Sequence, residues 1–147
     1  MMCRVKIAVL ILFALGPATV HAQSARQEAQ EILDASGVQG GLVVHLGAGN
    51  GELTAALGQD PQYVVQALET DSNRIGEARE TIRSLGRYGR VSVNRWDGQD
   101  LPYADGLVNL IVAHKPSELE PDELMRVLAP TGVAMIKQDG GWSKQIK

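Results

Sequence analysis

Cysteine is almost missing from this 147-residue chain: Cys3 is the only one. A disulfide scaffold and a thiolate metal site are thereby excluded, and no metal site is expected. Aromatic residues make up only 4% of the chain, and no apolar run approaches the roughly 20 residues of a membrane span. Basic residues are also scarce, 14 Lys and Arg against 17 Asp and Glu, and they form no stripe. Electrostatic binding to nucleic acid is therefore not expected.

What is present begins with an export pattern. Arg4 and Lys6 precede the apolar run Ile7 to Gly16, Pro17 breaks that run, and Val20-His21-Ala22 offers a cleavage site after Ala22. This is the layout of a secretory signal peptide, whose apolar part is about 7–15 residues long. Residues 1–22 are read as that signal, and the protein as exported (periplasmic or extracellular), with no membrane span after cleavage. The loss of Arg4 and Lys6 leaves 12 basic and 17 acidic residues, a net charge of −5. The remaining 125 residues suffice for one hydrophobic core.

Along that mature chain, short apolar runs alternate with helix-period stretches. Ser24 to Ala35 reads as a helix and Gly41 to Leu46 as a strand buried on both faces. Gly51 to Leu57 reads as a helix opened by a glycine turn, and Tyr63 to Leu68 as the second strand. Ser72 to Leu85 is an amphipathic helix with Ile75, Ala78, Ile82 and Leu85 on one stripe. Val91 to Trp96 and Leu107 to Ala113 are the third and fourth strands, with a loop over Asp97 to Gly106. Pro121 to Leu128 is a short helix, and Val133 to Lys137 the fifth strand. The alternation predicts an α/β fold, a Rossmann-like three-layer sandwich with a mainly parallel sheet of five strands. Residues 23–138 form the domain. Residues 139–147 read as a tail or truncated linker without a clear strand; the other reading is a tail that folds back at Asp139-Gly140, a favourable hairpin turn.

The chemistry-bearing residues gather where strands end. Gly47-Ala48-Gly49-Asn50-Gly51 follows the first strand and opens a helix, so the backbone can approach a ligand and helix N–H groups face it. A dinucleotide fingerprint needs a third glycine at position 52, which is Glu52, and this disfavours a nicotinamide oxidoreductase. The second strand runs into Glu69-Thr70-Asp71. Glu69 can accept both hydroxyls of a ribose, while Asp71 or Ser72 caps the next helix. The third strand runs into Asp97-Gly98-Gln99-Asp100-Leu101-Pro102-Tyr103, where Asp97 can accept an exocyclic amine of adenine.

Together these segments resemble the class I, S-adenosylmethionine-dependent methyltransferases, of the type 11-like kind. The G-x-G-x-G loop, the strand-end acid, the Asp-Gly…Asp-Leu-Pro-Tyr segment and Arg126-Val127-Leu128-Ala129-Pro130-Thr131-Gly132 follow the family's motifs in order. The last of these is similar to the family's Arg-Val-Leu-x-Pro-Gly-Gly turn. The resemblance implies S-adenosylmethionine as cofactor, bound by Gly47, Ala48, Gly49, Gly51, Glu69, Thr70, Asp97 and Gly98. It leaves the methyl acceptor and any catalytic residue unidentified.

Departures point another way. His45 stands where many relatives carry an acid, two residues before the first glycine, and is read as a hydrogen-bonded core residue. Asn109 replaces an aspartate, and Val108 a phenylalanine. His114, at the mouth after the fourth strand, is read as a solvated loop residue, with a base as the other reading. The alternative function is thus a non-catalytic, degenerate methyltransferase-fold module of a secreted protein, acting in ligand binding or interaction. The segment from Gly40 also resembles the leading part of secreted PQQ-type β-propeller proteins, with Lys137 to Trp142 at the junction. The family's C-terminal antiparallel hairpin is expected to be lacking. Strand five is then expected to be an open edge, prone to self-association or covered by a missing downstream domain.

Overall fold

The structure is a computed structural model, described here for residues 17–114 and 119–147. The basic start and apolar run of the export pattern lie outside the described residues. In chain order the elements are α1 (Pro17–Ser36), β1 (Gly41–Leu46), α2 (Glu52–Leu57), β2 (Tyr63–Glu69), α3 (Ser72–Ser84), β3 (Val91–Arg95), β4 (Val108–Ala113), α4 (Pro121–Val127), β5 (Leu128–Gln138) and β6 (Gly141–Ile146). One six-stranded sheet has the order β3-β2-β1-β4-β5-β6. The first five strands pair in parallel, and β6 pairs antiparallel to β5. No helix among the described residues is long and apolar enough to cross a membrane.

Two apolar layers sandwich the sheet. Alternate residues of β1 go to opposite faces, Val43 toward the cluster under α1, α2 and α3, and Val44 toward the cluster under α4. Both are fully buried, as a central parallel strand requires. Asp71 caps α3 by accepting from the Asn73 N–H, and Ile75, Ala78 and Ile82 bury its inner stripe. Leu85, expected on that stripe, is instead the C-terminal cap and is exposed, because the helix ends one residue before it. Gly51 brings α2 against α3: its φ is 85°, and a Cβ there would lie 2.7 Å from the Ala78 carbonyl oxygen.

Two expectations need correction. The sheet has six strands rather than five, because Asp139 and Gly140 form a two-residue turn with φ of 47° and 83°. Positive φ at both positions is the hairpin geometry that matches strand twist. The presumed tail therefore returns along β5, from Gln138↔Gly141 to Val133↔Ile146. An antiparallel hairpin is thus present, strand five is not an open edge, and the expectation of self-association loses that basis. Lys144 then donates to the Ala35 carbonyl at the end of α1, and Lys147 to the Leu128 carbonyl. The second correction concerns Ala129 to Gly132, expected as a turn before strand five. It is an irregularity within β5, with a register shift against β4 between Val108 and Leu110.

Candidate functional site

β1 lies between β2 and β4, so the chain leaves it in opposite directions and a crevice opens at the carboxyl ends of these strands. The cleft there has a volume of about 560 Å³. Its floor is the glycine turn, tied down by the Gly47 N–H donating to the Leu68 carbonyl and the Gly51 N–H donating to that of Ala48. Nothing lies within 4 Å of a Cβ built at Gly47 or Gly49, so the space above the turn is open.

Glu69 ends β2 with 4% of its surface exposed. Its Oε1 accepts from the Thr70 and Asp71 N–H groups at 2.9 and 3.1 Å. Its Oε2 accepts from Gly49 N–H at 3.3 Å, which ties the second strand end to the glycine turn. A carboxylate offers about four acceptor positions. Three backbone donors leave it room for a ligand hydroxyl.

Of the residues expected at the site, Gly47, Ala48, Gly49, Glu69 and Thr70 line one cleft together. Gly51 does not; it sits beneath the turn as the N-terminal cap of α2. Asp97 and Gly98 are also outside the lining. The Asp97 carboxylate turns to accept from the Gln99 N–H, and Trp96 faces the cleft in its place. The loop carrying them is held from α4. Arg126 donates to both Glu123 oxygens, to Asp105, and to the carbonyls of Leu101 and Tyr103. Glu123 accepts in turn from the Leu101 N–H. The hydrogen bonds from Arg126 hold the Glu123 carboxyl below its usual range. The Leu-Pro-Tyr and Arg-Val-Leu segments, 20 or more residues apart in sequence, are thus one mechanical unit.

The departures separate. Asn109 lies at the opposite end of the sheet, where its Oδ1 accepts from the Leu42 N–H. It fastens strands β4 and β1 and does not touch the cleft. His45 is 1% exposed, as a core histidine should be, yet it also lines the cleft. Its Nδ1 lies 2.8 Å from Thr54 Oγ1, and its Nε2 lies 3.4 Å from His114 Nδ1. Burial, with a further push from His114, lowers its pKa to about 3, so it is neutral at pH 7. His114 is not the solvated loop residue expected: its side chain is 35% exposed and 3.8 Å from Glu28 Oε1. Burial lowers its pKa against the opposing pull of Glu28.

Sequence reasoning missed the α1 wall of the cleft, made by His21, Ser24, Ala25 and Glu28. Their spacing places them on one helix face, which was the available signal. Lys137, the ion-pair partner of Glu28, was signalled by being the charged residue of an apolar strand.

Comparison with known proteins settles the family. A methyltransferase domain family matches residues 43–132. The chain belongs to this family. It is 30% identical over 125 residues to the methyltransferase GfsG of Streptomyces halstedii, covering 81% of this chain and 44% of that protein. It is also 30% identical over 117 residues to the ubiquinone/menaquinone biosynthesis C-methyltransferase UbiE of Photorhabdus laumondii, covering 71% of this chain and 45% of that one. The chain therefore spans a little under half the length of these curated relatives. Among solved structures, a SAM-dependent methyltransferase from Aquifex aeolicus superposes with a TM-score of 0.62 at 24% identity, over 86% of this chain and 78% of that one. S-adenosylmethionine, the cofactor expected from the sequence, is the one that structure's name carries.

Proposed function

We propose that this domain binds S-adenosylmethionine in the cleft and directs its methyl group to an acceptor entering beside α1. The observation that carries the reading is the pairing of open space above Gly47 and Gly49 with the buried Glu69 carboxylate beside it. A cleft of about 560 Å³ suits a ligand of this size. Gly47, Ala48, Gly49 and Thr70 offer backbone contacts, Glu69 accepts from the ribose, and Trp96 packs on the adenine side with Asp97 and Gly98 at the rim. The bound cofactor supplies an electrophilic methyl carbon on a sulfonium. The protein then contributes alignment and exclusion of water, so no catalytic triad is required.

Asn109 supports this reading over a degenerate module, since that replacement fastens strands far from the cleft. Export also belongs to the proposal and rests on residues 1–22. Lys137 to Trp142, read as the junction in the propeller-protein resemblance, belong to the β5–β6 hairpin.

The test is calorimetric titration with S-adenosylhomocysteine. Binding is expected to weaken roughly 10–100-fold in Glu69→Gln, as for loss of a hydrogen bond to a charged acceptor. A smaller loss is expected in Asp97→Ala and none in Asp100→Ala. Absence of binding by the unaltered protein would overturn the proposal.

A further inference from the structure

Four side chains from four parts of the fold form one polar chain along the cleft wall. Thr54 of α2 is at its buried end, then His45 of β1, then His114 just past β4, then Glu28 of α1. Glu28 and His114 both face the cleft. Lys137 of β5 pairs with Glu28, and its ammonium stands 5.1 Å over the Trp142 ring. The same indole meets the His114 ring edge-on at a centroid distance of 5.2 Å. Among the described residues, Glu28, Lys137 and His45 are the titratable groups that act on His114, and His21 lines the same cleft from α1.

The spacing couples the two imidazoles, because only one of the two facing nitrogens can carry a proton. When His114 Nδ1–H donates to His45 Nε2, His45 Nδ1–H donates to Thr54, and His114 Nε2 presents a lone pair beside Glu28. A proton arriving at Nε2 makes an imidazolium next to a carboxylate. This is the logic of a base that is oriented from one side and charge-stabilised from the other.

We propose that His114 is the general base for a methyl acceptor bearing an acidic hydroxyl, a phenol or enol, with His45 and Thr54 setting its tautomer and Glu28 stabilising its charged form. The proposal rests on the methyl-transfer reading. An amine nitrogen carries its own lone pair and needs no base before attack, whereas a hydroxyl must shed a proton as its oxygen becomes a nucleophile. The hydroxyl oxygen bonds the methyl carbon, the carbon–sulfur pair stays on sulfur, and the hydroxyl proton passes to His114 Nε2. Burial makes His114 a weaker base than a free histidine, which matches it to an acidic hydroxyl rather than an aliphatic alcohol.

4-Nitrophenol is the probe, because its phenolate absorbs at longer wavelength than its neutral form. S-adenosylhomocysteine is titrated first; if it does not bind, the methyl-transfer reading itself fails. With that ligand saturating, the phenol is added one pH unit below its solution pKa. The expected result is a bound phenolate, its ionisation lowered by roughly 1–3 units beside the imidazolium. Nitrogen-15 NMR is expected to show His114 gaining the proton in step. In His114→Gln the probe binds neutral, and in Thr54→Val the downward shift shrinks. If His114→Gln no longer binds S-adenosylhomocysteine, the NMR result on the unaltered protein decides. Equal phenolate formation in a His114→Gln protein that still binds, proton uptake elsewhere, or no binding of the probe would overturn the proposal.

Discussion

Acid should destabilise this domain through His45. The imidazole is 1% exposed, and both ring nitrogens are engaged. In the unfolded chain it takes a proton below about pH 6.5; in the folded protein it resists until about pH 3. The unfolded state therefore binds more protons between these values, and stability falls as pH falls through that window. The contribution is fully present above pH 6.5. Each pH unit below it costs up to about 1.4 kcal/mol, hence roughly 2 kcal/mol at pH 5. Against a total of about 5–15 kcal/mol for a small domain, that is a measurable fraction. His114, also lowered by burial, adds in the same direction. The assay is urea denaturation at pH 7 and pH 5, on the unaltered protein and on His45→Gln. The variant is less stable at pH 7 but loses less between the two pH values. Equal losses in the two proteins would refute the reasoning.

Further outcomes follow from single positions. Thr131 is β-branched and holds a φ of 65°, so Thr131→Gly is expected to raise stability by up to about 1 kcal/mol, read as the denaturation midpoint. Removing residues 139–147 uncovers β5, and light scattering is expected to show association where the full chain stays monodisperse. If residues 1–22 are an export signal, N-terminal sequencing of protein from the native host's envelope begins at Gln23; retention of Met1 would refute export by cleavage.

Most of the fold could be read because β1, β2, β4 and the second half of β5 are largely apolar runs, as a parallel strand buried on both faces requires, while β3, at the sheet edge, shows only the alternation Val91, Val93. β6 escaped for the opposite reason. Gly-Trp-Ser-Lys-Gln-Ile belongs to an edge strand, and only Trp142 packs on a core cluster. The Asp-Gly turn was the visible clue. In the site, the glycine turn and Glu69 were legible because strand ends of a parallel sheet converge on one edge. Asp97 shares that edge but spends its carboxylate on Gln99, a choice made by local loop geometry that sequence position does not encode. Glu28, Thr54 and Lys137 come from a helix before the sheet, a helix behind it and its fifth strand. Their meeting is tertiary.

His45 stands where the resemblance leads one to expect an acid, and its surroundings suit a neutral ring. A carboxylate at a buried strand end requires donors or a cation, or its charge is prohibitively costly. A neutral imidazole in the same place needs one donor and one acceptor, which Thr54 and His114 supply. The negative charge at this wall comes instead from Glu28, held by Lys137 at the half-exposed surface, where solvation is cheaper. Because Glu28 rides on α1, the cleft depends on that helix docking against the sheet. Cleavage after Ala22 would remove His21 from the wall yet leave Ser24, Ala25 and Glu28, together with Ala29 and Ile32, which bury the helix against the core. The expected processing and the site are therefore compatible, since the residues that anchor α1 and, His21 apart, those of α1 that face the cleft lie beyond the cut.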